Sequence, residues 1–133
     1  PLLQNRAEME EKTEEAGIRF PEDPFIMEIV RIINENMKNP DFNVKKLADI
    51  MVISQPTLYR RVKMITNFTI SEFIRGVRLK RAAELLRSRR YTVQDIAEMV
   101  GYSDLAMFRK HFVDFYGTTP STFSNKMLME KPE

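Results

Sequence analysis

An internal repeat is the feature that most constrains how this chain can fold. Residues 43–54 (NVKKLADIMVIS) align without gaps with residues 92–103 (TVQDIAEMVGYS) at an offset of 49 positions. After one inserted residue the similarity continues at an offset of 50, and it ends in matching Thr-x-x-x-Phe segments at 69–73 and 119–123. Short amphipathic helices can align by chance. The shared Ala-x5-Ser spacing and the matching Thr-x-x-x-Phe segments favour a duplicated structural unit instead.

Each copy has the pattern of a helix-turn-helix unit. Asn43 and Thr92 can cap the first helix of each copy, whose apolar residues recur at helical spacing. Ser54 can cap the second helix of the first copy, and either Ser103 or Asp104 can do so in the second. A small alanine allows the two helices to cross closely, and a tight turn directs the second helix outward. This geometry brings a recognition helix into a DNA major groove.

The rest of the chain is predicted to be helical, without strand alternation. Asp23-Pro24 begins a helix that Asn39-Pro40 ends, and Thr119-Pro120 begins a short last helix. The predicted fold class is all-α, with two helix-turn-helix subdomains joined by a long connector helix, about seven helices in all, plus an N-terminal connecting helix. We place an acidic connector at 1–22, the first subdomain at 23–68, the connector helix at 69–90, the second subdomain at 91–127 and a tail at 128–133.

The connector helix changes its apolar face partway along. Apolar residues of 70–77 cluster on one side, and those of 79–86 cluster on nearly the opposite side. A helix that packs on two lobes needs two such faces. A helix from 69 to 89 is roughly 31 Å long at about 1.5 Å per residue, and adjacent major grooves on one face of DNA lie about 34 Å apart. One chain can therefore place both recognition helices on one face of a duplex.

The net charge of +2 conceals an uneven distribution. Residues 54–110 contain 12 basic and 5 acidic residues, whereas residues 1–23 contain 3 basic and 7 acidic residues. The basic stretch runs from the first recognition helix through the connector helix into the second. This placement favours a polyanionic partner.

Residue types that enzymes and metal sites need are scarce. The chain has no Cys and a single His, so disulfides, thiolate sites and multi-histidine sites are excluded. We interpret His111 as a packed or surface histidine. The four glycines form no phosphate-binding motif, and no apolar run is long enough to span a bilayer. We expect no enzyme activity, no cofactor and a cytoplasmic location, and we interpret a chain that starts at Pro1 as a fragment of a longer protein.

The second copy carries the most specific motifs. Residues 96–123 (IAEMVGYSDLAMFRKHFVDFYGTTPSTF) contain I-A-x-x-x-G-[FY], F-x-[RK]-x-F and G-x-[TS]-P in that order. This stretch resembles the signature of the AraC/XylS family of bacterial transcription regulators, and residues 73–86 (FIRGVRLKRAAELL) resemble the family's connector helix. The resemblance covers about residues 25–126. It implies two helix-turn-helix subdomains that insert their third and sixth helices into successive major grooves of double-stranded DNA.

The outward faces of the two recognition helices supply the candidate site residues. The resemblance implies base contacts from Pro56, Tyr59, Arg60, Leu105, Ala106, Arg109 and Lys110. We expect phosphate contacts from Thr57, Lys63, Ser103 and Thr119. Pro56, Leu105 and Ala106 offer only apolar contact, for example to a thymine methyl group. Hydrogen-bonded readout is therefore expected to depend mostly on Arg60 and Arg109, because an arginine can bind O6 and N7 of guanine together.

The sequence departs from the family pattern in the first copy. The first turn has Val52 where the family often has glycine, and Pro56 has no backbone N–H. Arg78 and Arg81 are expected to pair or pack within the connector helix. Residues 1–12 (PLLQNRAEMEEK) are similar to segments that follow the receiver domain in hybrid two-component regulators. This similarity implies a missing upstream receiver or sensor domain and dimerisation of the full-length protein, with RNA polymerase as a further partner. The alternative is a protein-interaction module with the same fold that does not bind DNA directly.

Overall fold

Seven α-helices make up the part of the chain that the computed structural model describes, residues 21–130, with side chains described through residue 125. The helices are α1 (Pro24–Glu35), α2 (Val44–Met51), α3 (Gln55–Thr66), α4 (Ile70–Ser88), α5 (Val93–Met99), α6 (Leu105–Tyr116) and α7 (Pro120–Glu130). No strand occurs within 21–130, and the all-α prediction is confirmed. The predicted N-terminal connecting helix and residues 131–133 of the predicted tail lie outside the described residues.

Polar side chains determine where the helices begin. In α1 to α6 the residue before the helix accepts a hydrogen bond from an amide of the first turn, and these caps are Asp23, Asn43, Ser54, Thr69, Thr92 and Asp104. Thr69 and Thr92 also form complete capping boxes with the acidic residues three positions later. Of the two candidates before the second recognition helix, Asp104 rather than Ser103 is the cap.

Helix α1 ends at Glu35, four residues before the Asn39-Pro40 sequence that was expected to end it. Asn36 leaves the helical conformation, and its side-chain amide donates to the carbonyl of Ile32 at 2.8 Å. Such local side-chain bonds compete with helix continuation. The last helix, α7, begins at Pro120 as predicted and extends to Glu130.

The connector helix α4 lies at the centre of the fold. We call α1–α3 the first lobe and α5–α7 the second lobe. Helices α1 and α3 of the first lobe and all three helices of the second pack against α4. Its buried residues occur around the whole circumference, as expected for a helix between two lobes. With 19 residues it is shorter than predicted, and its length is about 28 Å.

The turns between the two helices of each unit have the same backbone structure. Val52 and Gly101 both have positive φ, at 57° and 93°. The amide of each donates to the carbonyl three residues earlier, at 3.2 and 3.1 Å. The next amide donates to the carbonyl of Ala48 in the first unit and of Ala97 in the second, at 3.1 and 2.8 Å. The duplication inferred from the sequence therefore extends to the hydrogen bonds of the turn.

Candidate nucleic-acid interface

The first recognition helix, α3, has one exposed and one buried face. Pro56, Tyr59 and Arg60 are exposed at positions i, i+3 and i+4, so they lie on the same side of the helix. Leu58 and Val62 on the other side are fully buried. The burial of these two residues orients the helix and leaves the predicted base-contacting side chains accessible.

The second recognition helix, α6, repeats this arrangement with different residues. Ala106, Arg109 and Lys110 are exposed, and at an offset of 50 they correspond to Pro56, Tyr59 and Arg60. Phe108 and Phe112 are fully buried on the opposite side. The two arginines therefore occupy adjacent rather than equivalent positions in the repeat, and α6 presents two cations where α3 presents a tyrosine and an arginine.

Leu105 differs from the other predicted base-contacting residues. It is only half-exposed, because its side chain packs against the hydrophobic core at the start of α6. Met107 and Val113 are exposed apolar side chains on the same helix that are not among the predicted site residues. The repeat could have identified Val113, because it occupies the position in the second copy that Lys63 occupies in the first.

Two of the predicted phosphate-contacting residues lie at the N-terminal ends of helices, Thr57 in the first turn of α3 and Thr119 just before α7. The Oγ of Ser54 accepts a hydrogen bond from the Thr57 amide at 3.2 Å and donates to the Thr57 hydroxyl at 2.8 Å. The Oγ of Thr119 accepts from the Thr122 amide at 3.1 Å. These hydroxyl groups cap α3 and α7, and helix N-termini are favourable places for a phosphate.

The other two predicted phosphate-contacting residues have different surroundings. The Lys63 ammonium donates to the backbone carbonyl of Asn67 at 3.1 Å, so it stabilises the C-terminal end of α3. Ser103 is exposed and directly precedes Asp104, the cap of α6. Both residues lie at ends of recognition helices, Lys63 in the last turn of α3 and Ser103 before the first turn of α6.

Arg78 has partners that the sequence did not indicate. Its side chain extends away from α4 and is buried, and only 6% of the residue's surface is exposed. Nη1 donates to the carbonyls of Met37 at 2.9 Å and Val100 at 2.5 Å, and Nη2 donates to the carbonyl of Asn39 at 3.2 Å. Burial lowers the pKa of the guanidinium from its ordinary value. The expectation that Arg78 and Arg81 pair or pack within the connector helix is wrong for Arg78, because all three acceptors lie outside α4. It is confirmed for Arg81, which pairs with Glu84 at 3.0 Å.

A polar cluster beside α6 was also not predicted. The Tyr102 hydroxyl and Nδ1 of His111 are 2.8 Å apart and form a hydrogen bond. Burial raises the pKa of Tyr102 to about 12, and burial together with the positive charge of Arg75 lowers the pKa of His111. Arg75 is half-buried and, with Ser103, lines a crevice of about 360 Å³ between the lobes. No sequence motif identifies Arg75, because its position depends on the packing of the two lobes.

Other kinds of site have no support in the described residues. Between residues 21 and 130, no group of three or more His, Asp or Glu side chains is arranged to hold a metal ion. None of the seven helices described here combines the length and apolar composition needed to cross a bilayer.

Comparisons with known proteins agree with this geometry. A family model described as a helix-turn-helix domain matches residues 47–126. Histidine kinase P4 of Formosa agariphila is 32% identical over an alignment of 133 residues that covers 94% of this chain and 10% of the kinase. The probable transcription factor PqrA of Proteus vulgaris is 31% identical over 92 residues, which cover 69% of this chain and 75% of PqrA. The chain thus spans about a tenth of the kinase but most of PqrA.

A solved structure supports the fold. The DNA-binding domain of AdpA, a global transcriptional factor, in complex with a target DNA, superimposes with a TM-score of 0.73 at 24% sequence identity. The match covers 80% of this chain and 96% of that domain. With the family model, the relatives and the duplicated helix-turn-helix geometry in agreement, the chain belongs to the AraC/XylS family and is a helix-turn-helix DNA-binding domain of the kind found in its transcription regulators.

Proposed function

We propose that this domain recognises a specific double-stranded DNA sequence by inserting α3 and α6 into successive major grooves on one face of the duplex. The observation that carries the proposal is the repeated exposed face of these two helices, each held by a buried opposite face. The connector helix is about 28 Å long, comparable with the roughly 34 Å between successive major grooves on one face.

The proposed DNA contact of each residue follows from the chemistry of its side chain. Arg60 and Arg109 bind base edges through their guanidinium groups, with Tyr59 and Lys110 beside them. Apolar base contacts come from Pro56, Leu105 and Ala106, and the half-burial of Leu105 limits its share. Phosphate contacts come from Thr57, Lys63, Ser103 and Thr119. Phosphate neutralisation supplies most of the affinity, which makes binding strongly dependent on salt.

The full-length protein is proposed to contain more than this domain. A histidine kinase relative of which the chain spans 10% supports an upstream receiver or sensor region. In this proposal the upstream region controls dimerisation, and the bound regulator contacts RNA polymerase in the cytoplasm. The domain itself acts by binding rather than by catalysis, and its functional unit comprises the two subdomains at 23–68 and 91–127 with the connector between them.

The test is a fluorescence-anisotropy titration with a duplex that the wild-type protein selects from random DNA, compared with a scrambled duplex. Arg60→Ala and Arg109→Ala should each reduce discrimination by about 1–3 kcal/mol. Lys63→Ala should weaken binding to both duplexes and reduce the salt slope by about one. Arg31→Ala is the matched control, because Arg31 is exposed on α1 and pairs with Glu28 and Glu35 away from the recognition helices.

Two results would contradict the proposal at different levels. Equal losses on the selected and scrambled duplexes would show that Arg60 and Arg109 contact only the DNA backbone. No binding by the wild-type protein at about 50–100 mM salt, where even non-specific DNA binding is measurable, would favour the protein-interaction module.

A further inference from the structure

The Arg78 side chain connects the two lobes. Two of its acceptors, the carbonyls of Met37 and Asn39, follow the end of α1 in the first lobe. The third, the carbonyl of Val100, is the C-cap of α5 in the second lobe. The Val100 carbonyl lies at a C-terminal helix end, where carbonyls lack intrahelical partners and carry the negative end of the helix dipole. A single guanidinium from α4 therefore binds the turn that follows α1 in the first lobe and the end of α5 in the second.

Gly101 shows that the second lobe is shaped around this guanidinium. A Cβ atom at Gly101 would lie 1.5 Å from Nη1 of Arg78 and 2.4 Å from the carbonyl oxygen of Met37. The equivalent residue of the first unit is Val52, whose side chain is exposed. The two turns have the same hydrogen bonds, and the first accommodates valine at φ 57°. At φ 93° a side chain on residue 101 is strained in itself, and it would also overlap Arg78 and the Met37 carbonyl.

We propose that Arg78 is a positioning residue that fixes the separation and orientation of the two recognition helices, so that the domain selects DNA by the spacing between its two half-sites. The inference rests on the proposed function, since it concerns how both helices engage one duplex. Each added base pair displaces a half-site by about 3.4 Å and rotates it by about 34°. To follow that displacement, the lobes must move and break hydrogen bonds of the guanidinium.

The expected effect on DNA selection is large enough to measure. One hydrogen bond to a charged group shifts an equilibrium by about tenfold or more. The wild-type protein should therefore lose about tenfold in affinity when the selected site is lengthened or shortened by one base pair. Without the hydrogen bonds of Arg78, the lobes can follow a changed spacing at little cost in free energy. The loss of affinity should then fall to about threefold or less. Affinity at the optimal spacing should also fall, because flexible linkage lowers the effective concentration of the second lobe.

The experiment compares Arg78→Met with Arg81→Met on duplexes whose half-site spacing is changed by one and two base pairs. Arg81 is the matched control, because it lies on the same helix, is exposed and pairs locally with Glu84 at 3.0 Å. Arg81→Met should keep the wild-type spacing preference and Arg78→Met should lose it. An Arg78→Met variant that melts cooperatively and retains the tenfold preference would overturn the inference.

A measurement without DNA separates this inference from the proposed function. The chain has no cysteine, so spin labels can be placed selectively at Lys46→Cys in α2 and Gln94→Cys in α5, both exposed positions. The distance distribution between the labels should be broader in Arg78→Met than in Arg81→Met. Equal widths would overturn the inference even if DNA binds normally.

The combined outcomes are distinguishable. Tight wild-type binding without a spacing preference refutes the role of Arg78 in selection and leaves the proposed function intact. Absence of wild-type DNA binding refutes the proposed function, and the label distances then decide whether Arg78 fixes the lobes. If Arg78→Met does not fold, Arg78→Lys replaces it, because lysine keeps the charge but lacks the guanidinium fork. If Arg78→Lys has the same spacing preference and the same label distances as the wild type, the inference is overturned.

Discussion

Replacing Val52 with glycine should stabilise the domain. Val52 has φ 57° and ψ 45°, in the left-handed region, where a branched side chain is uncommon. The left-handed conformation costs a non-glycine residue about 1–2 kcal/mol. The Val52 side chain is 88% exposed, so its removal sacrifices little buried area. The conformation is imposed by the turn, whose amides donate to the carbonyls at the end of α2.

The net magnitude follows from two opposing contributions. Relief of the left-handed conformation contributes about 1–2 kcal/mol, and the greater freedom of glycine in the unfolded chain offsets about 0.5–1 kcal/mol. We expect Val52→Gly to raise the free energy of unfolding by about 0.5–1 kcal/mol, and the midpoint temperature by about 2–5 °C. Thermal and urea unfolding followed by circular dichroism at matched protein concentration would measure both quantities.

Val52→Ala is the control, because alanine keeps a Cβ and therefore most of the backbone strain. The glycine variant should be more stable than the alanine variant, which should stay within about 0.5 kcal/mol of the wild type. A glycine variant no more stable than the wild type would refute the reasoning. It would show that the turn holds Val52 without strain or that its side chain contributes contacts in solution.

Two further predictions concern the second lobe. Gly101→Ala should lower the free energy of unfolding by more than about 3 kcal/mol in urea, because it adds left-handed strain and displaces the charged hydrogen bonds of Arg78; a loss near 1 kcal/mol, the strain alone, would contradict the close contact. Burial lowers the pKa of His111 below its ordinary value of 6.5, so the unfolded chain binds this proton first as the pH falls. The stability contributed by neutral His111 is therefore present above about pH 6.5 and lost as the pH drops through the folded pKa. Urea unfolding at about pH 7.5 and about pH 5.5 should show a smaller pH dependence in His111→Gln than in the wild type, and equal dependence would contradict it.

Sequence alone was sufficient where the decisive interactions are local. Thr92 caps α5 through an amide three residues away, and Asp95 bonds back to it, so the capping box is contained in one turn. The alternation of buried Phe108 and Phe112 with exposed Arg109 follows from helical periodicity. For the same reason the repeat, the all-α class and the outward faces of both recognition helices could be predicted. Helix α1 ends early because the Asn36 side chain bonds to the carbonyl of Ile32 and competes with continuation of the helix. The hydrophobic periodicity of the sequence does not predict this bond.

Tertiary structure decided which side chains act between the lobes. Arg78 binds carbonyls 41 and 22 residues away in the chain, and no pattern within one helix specifies those acceptors. Glycine is needed at 101 partly because the guanidinium and the Met37 carbonyl occupy the space of a Cβ there, in addition to the positive φ of 93°. Periodicity assigns a residue to a helix face, whereas the partner of a buried charge depends on how two lobes pack and exclude water. For this reason the exposed faces of α3 and α6 were predictable from the chain, and the bonds of Arg78 between the lobes were not.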